Sequence, residues 1–114
     1  MQIIRLEHPS NGDGIFHNAH LISDTYMEDD WFRRHNKMTG AKLIDGFCKG
    51  KHFCAYQSID ELQQWLTNDE LKEIISAGFI VLLLDVSDFI LNHDQVLYDK
   101  NSITFQKEIT ELFV

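Results

Sequence analysis

Phe79-Ile80-Val81-Leu82-Leu83-Leu84-Asp85-Val86 is the longest apolar stretch of the chain, and it runs without the polar alternation of a half-exposed strand. A run of this length with no alternation is the pattern of a strand covered on both faces. It therefore predicts the central strand of a sheet. Immediately upstream the local code is helical. Ser58-Ile59-Asp60-Glu61 spells a capping box, in which a serine oxygen and a glutamate three residues later satisfy the open amides of a helix start. Ile59, Leu62, Trp65 and Leu66 then recur at helical spacing. Thr67-Asn68-Asp69-Glu70 repeats the device, Leu71, Ile74 and Ile75 continue the stripe, and Gly78 is placed to stop it. Two short helices thus lead into the apolar strand.

Downstream, residues 88–91 extend the apolar pattern, Asn92-His93-Asp94 supplies turn residues, and Gln95 to Asp99 reads as a strand, so the two segments predict a hairpin. Asn101-Ser102 can cap a last helix with Phe105, Ile109, Leu112 and Phe113 on one face, although Ile103-Thr104-Phe105 also reads as strand. Towards the N-terminus, residues 51–57 form a strand ending at Ser58. Residues 2–7 form another, with Ile4 and Leu6 on one face and Ile3, Arg5 and Glu7 on the other. His8 to Gly14 is a loop, since Pro9 removes a donor and Asn11-Gly12 and Asp13-Gly14 suit positive φ. Asp24 to Asn36 has the spacing of a short helix, and Gly40, Gly46 and Gly50 interrupt the segment between that helix and the strand at 51–57. The expectation is one α+β domain over residues 1–114, a mixed and largely antiparallel sheet with short helices.

With 114 residues, 44% hydrophobic and 25% charged, the composition is that of an ordered globular chain. The apolar run is far shorter than the roughly 20 residues that cross a bilayer, and no basic segment followed by an apolar block opens the sequence. A cytoplasmic protein without membrane attachment is the expectation. The net charge of -8, from 18 acidic and 10 basic residues, opposes direct binding to nucleic acid, which depends on cations displacing counterions. The same charge suits docking onto a basic partner. Asp24, Glu28, Asp29 and Asp30, together with Asp60, Glu61, Asp69, Glu70 and Glu73, are the candidates for a negative surface, beyond what helix dipoles need.

Arg5, Glu7 and His8 precede the glycine-bearing loop. An arginine at a strand end either grips a phosphate or carboxylate with its planar fork or forms a surface pair with Glu7 on an edge strand. Asn11-Gly12-Asp13-Gly14 lacks the spacing and lysine of a phosphate loop. His17, His20, Cys48, His52 and Cys54 do not have the spacing of a zinc site, so no metal is expected and both cysteines read as reduced thiols. Tyr56 and Ser58 stand where a strand meets a helix, with Ser58 an N-cap that can also face an anion. Asp94 and Gln95, at the start of a later strand, suit either a polar turn or a catalytic or ribose-orienting role.

The order of these pieces resembles the ADP-ribosyltransferase-like fold: Ile3-Ile4-Arg5-Leu6 on the first strand, Tyr56-Gln57-Ser58 before a capped helix, and Asp94-Gln95-Val96 opening a later strand. The resemblance implies that the chain binds NAD, with Arg5 or His8 on the dinucleotide phosphates or ribose. It places Tyr56 and Ser58 at the nicotinamide half and Asp94 or Gln95 in the position of the catalytic acid. The sequence departs from that family in having no Ser-Thr-Ser run at Ser58 and no Glu-x-Glu at residues 94–96. The small size and the Arg5-Leu6-Glu7-His8-Pro9 opening also resemble phage or prophage proteins, among which some anti-CRISPR proteins are enzymes of this type. Two functions are expected, the first and leading one from this resemblance and the second from the charge of -8 and the lack of a strong catalytic motif. One is an NAD-dependent enzyme modifying a host protein, and the other is a non-enzymatic acidic protein that occludes a basic surface of a partner.

Overall fold

The computed structural model describes residues 1–15, 18–38, 52–92 and 95–114, and at residues 35–38, 92 and 95 the backbone alone. Among these residues six strands form one sheet: β1 (Gln2–Glu7), β2 (His52–Tyr56), β3 (Ile80–Val86), β4 (Phe89–Asn92), β5 (Gln95–Asp99) and β6 (Ile103–Glu108). Their order is β4-β5-β2-β1-β3-β6, and every pairing is antiparallel. Among the described residues three α-helices accompany it: α1 (Asp30–Met38), α2 (Ile59–Trp65) and α3 (Asn68–Ser76).

The apolar run becomes β3, but its place differs from the expected centre. β3 lies between β1 and the edge strand β6, while β1, with β2 and β3 on its two sides, occupies the interior. The double covering is still seen, because residues of β3 feed both layers. Val81 joins Ile4, Leu6, Tyr56, Leu62, Leu66, Leu71 and Ile74 on the helix side. Leu82, Leu84 and Val86 pack with Ile3, Ala55, Val96 and Tyr98 on the other. The alternation read for β1 is therefore present, with Ile4 and Leu6 facing the helices and Ile3 facing away.

Both helix starts carry the predicted caps. Ser58 Oγ accepts from the Glu61 amide at 3.1 Å. Thr67 accepts from the Glu70 amide at 3.2 Å while Glu70 Oε1 accepts from the Thr67 amide at 2.9 Å, the full reciprocal box. The helix expected at residues 24–36 is divided: a 3₁₀ turn at Tyr26–Glu28 ends at Asp29, whose ψ of 141° is extended, and α1 starts at Asp30. The hairpin is present as β4 and β5, with Asn92 opposite Gln95. At the C-terminal end the strand reading prevails over the helix. Residues 103–108 pair with the open edge of β3, and Ile109 continues onto it by donating to the Val81 carbonyl at 2.8 Å. The glycine-interrupted segment from 39 to 51 lies outside the described residues.

Gly78 closes α3 at a φ of +102°, and a Cβ built there would lie 2.8 Å from His8 Nε2. The His8 ring stands edge-on against Phe79 at 5.2 Å, so the loop after β1 is packed against the end of the helix. Gly78→Ala combines a left-handed backbone with this close approach and is expected to cost about 1–3 kcal/mol. A lowered urea midpoint with an unchanged slope checks this.

Candidate functional site

β1 carries Arg5 on the face away from the helices, in the interior of the sheet, and its side chain is only 1% exposed. Burying a guanidinium requires that its donors be met. Here Nη1 donates to the Cys54 carbonyl at 2.6 Å, Nη2 to the Gly12 carbonyl at 3.0 Å and Nε to Glu7 Oε1 at 3.4 Å. The cation also lies 5.5 Å from the centre of the Phe53 ring and 5.9 Å from that of Tyr98. Lys100 joins the cluster: Nζ donates to the Gly12 carbonyl at 2.7 Å and sits 4.1 Å from the Phe53 ring centre. Arg5 is thus neither a surface partner of Glu7 nor on an edge strand. It ties the 8–14 loop to β2, with its fork directed at backbone carbonyls.

The other residues of the expected dinucleotide site are dispersed. Tyr56 is buried on the helix side of the sheet, opposite to Arg5, within the core that includes Ile4 and Leu62. Ser58 is exposed and caps α2. His8 Nδ1 lies 2.7 Å from Ser10 Oγ and accepts from the Ser10 amide at 3.2 Å, inside its own loop. Asp94 lies outside the described residues. Gln95 pairs with Tyr56 across β2 and β5 through its backbone. Of the histidines and cysteines weighed for zinc, His17 and Cys48 are outside the described residues, His20 is exposed and His52 is buried. Among the described residues no three or more His, Cys, Asp or Glu are grouped to hold a metal ion.

Sequence reading did not anticipate Lys100, Phe53 or the Cys54 and Gly12 carbonyls around Arg5. Lys100 and Gly12 are 88 positions apart, and backbone acceptors leave no mark in residue identity.

Five of the nine acidic candidates, in contrast, converge. A cleft of about 410 Å³ is lined by Glu28, Asp29 and Asp30 from the segment entering α1, by Glu70 and Glu73 from α3, and by Ser23 and Trp31. Trp31 Nε1 donates to Asp29 Oδ2 at 3.2 Å, and Arg33 reaches Asp30 Oδ1 at 3.3 Å. Arg34 pairs with Glu70. The side chains of Glu28 and Glu73 have no hydrogen bond or ion pair among the described residues. No helix among these residues is long and apolar enough to cross a membrane.

At Glu70, burial raises the pKa, but the Thr67 amide, the hydrogen bond and charge of Arg34 and the Thr67 side chain outweigh it, leaving the carboxyl below its ordinary value. A carboxyl lowered on folding adds stability above its unfolded pKa, and this is lost as pH falls through the folded one. Urea midpoints measured from neutral pH into the acid range are expected to fall, and Glu70→Gln to flatten that part of the profile.

Residues 1–111 match the family described as bacteriophage T4 Y00F protein. The chain belongs to this phage protein family. It is 25% identical over 109 residues to the protein of Enterobacteria phage T4 described as "uncharacterized 19.7 kDa protein in motB-dexA intergenic region", a match covering 95% of this chain and 58% of that protein. The chain therefore spans just under three-fifths of the length of this T4 relative. No solved structure matches the chain.

Proposed function

We propose that this member of the phage family works by binding, as a non-enzymatic acidic protein that occludes a basic surface of a host protein, such as a component of a defence complex. The observation that carries the reading is the gathering of carboxylates from two separate chain segments around one open cleft, with Glu28 and Glu73 unspent by pairing among the described residues. Acidic residues kept only for helix capping have no reason to meet in this way. The net charge of -8 adds long-range attraction to a basic partner. Membership of a phage family fits a host target.

The rival reading, an NAD-dependent ADP-ribosyltransferase, gains less support. It needs the Arg5 fork turned to a ligand on the same side as Tyr56. The experiment that tests the binding reading is capture of host proteins on the immobilised chain at increasing salt. One partner retained at low salt and lost steeply as salt rises is expected, because exposed charges are screened over about 8 Å at physiological ionic strength. Absent or salt-insensitive capture would count against it.

A further inference from the structure

A second hollow, of about 260 Å³, lies where the N-terminus of α2 meets the helix side of the sheet. Its floor is aliphatic: Ile4 from β1, Leu83 from β3 and Ile59 from α2. Its rim is polar: Gln2, Gln57, Ser58 and Asp60. The side chains of Gln2, Gln57 and Asp60 make no hydrogen bond or ion pair among the described residues, and no basic residue lines the space. Lys107, opposite Leu83 on β6, takes no part in the lining.

Size and charge narrow what such a space holds. It is smaller than the roughly 300–1,000 Å³ of small-molecule sites, which disfavours a dinucleotide and suits one long side chain. An anion drawn to the start of α2 would meet Asp60 and Glu61 in the first helical turn, and Ser58 already takes the Glu61 amide. A cation is drawn by the Asp60 carboxylate, which offsets the weak positive pole of the short α2. The methylene stem of a lysine or arginine gains from lying on Ile4, Leu83 and Ile59, while its head reaches the Asp60 carboxylate and the amide oxygens of Gln2 and Gln57.

We propose that this hollow receives a lysine or arginine side chain of the basic partner, a second point of attachment distinct from the Glu28–Glu73 cleft. The assignment rests on the binding reading and adds to it where one anchor residue of the partner goes. The test uses the whole protein labelled for amide NMR and titrated with a blocked lysine- and arginine-rich decapeptide, alongside the same peptide with norleucine in place of each basic residue. Shifts at Gln57, Ser58, Asp60 and the Gln2 side-chain amide are expected with the basic peptide alone. Asp60→Asn, an exposed position whose replacement keeps the fold, is expected to weaken the affinity read at these signals at least threefold while leaving signals around Glu28 and Glu73 unchanged. Shifts confined to the Glu28–Glu73 cleft would overturn the hollow and leave the binding reading standing. Equal shifts with the norleucine peptide would overturn the role given to Asp60. The absence of shifts anywhere would overturn both.

Discussion

Arg5→Ala is expected to destabilise the protein by about 3–5 kcal/mol, a large share of the 5–15 kcal/mol that keeps an ordinary domain folded. The substitution leaves the Cys54 and Gly12 carbonyls without their guanidinium donors and Glu7, only 16% exposed, without its nearest cation. It also opens space beside the Phe53 and Tyr98 rings. Arg5→Met fills part of that space and is expected to recover part of the loss. Arg5→Lys recovers little, since an ammonium cannot fork to two carbonyls as a planar guanidinium does. Urea unfolding of the three variants checks the order. The same series separates the two functional readings. An arginine held for a phosphate is dispensable to the fold, so an unchanged midpoint in Arg5→Ala would return Arg5 to the ligand-binding role. With Arg5 held as a structural residue, calorimetric titration of the native protein with NAD at millimolar concentration is expected to show no heat.

The features legible in the sequence were those written in local residue order. The N-cap at Ser58, the box at Thr67, the period-2 pattern of Gln2 to Glu7 and the spacing of β4 and β5 each specify their element within a few residues. The apolar run announced a strand covered on both faces but not its neighbours, because strand order depends on pairings between distant segments. β3 is beside the edge because β6 closes over it, and β6 was ambiguous: Phe105, Ile109 and Leu112 fit a helical stripe. The pairing with β3, rather than intrinsic preference, decides it. The site was less legible for a similar reason. Arg5 looked available because its acceptors are backbone carbonyls of residues 12 and 54. The acidic cleft was visible only as an excess of charge, since nothing local indicates that Glu28 and Glu73 come to share one opening.

That shared opening carries the second large effect. Glu28→Lys together with Glu73→Lys turns two carboxylates of the cleft, unpaired among the described residues, into cations, changing the net charge from -8 to about -4 and reversing the local field. Both positions are exposed, so the fold is expected to tolerate the change within about 0.5 kcal/mol each. Capture of the basic partner is expected to fall by at least tenfold at low salt, mostly through slower association, as charges at an interface rim act more on encounter than on residence. The control keeps the same net charge: Asp88→Lys together with Glu108→Lys places the cations at exposed positions in the β3–β4 turn and on β6, away from the residues that line the cleft. If only bulk charge mattered, the two double variants would lose capture equally. If the cleft is the docking surface, the control retains most of its binding and keeps the steep salt dependence, while the cleft variant loses both.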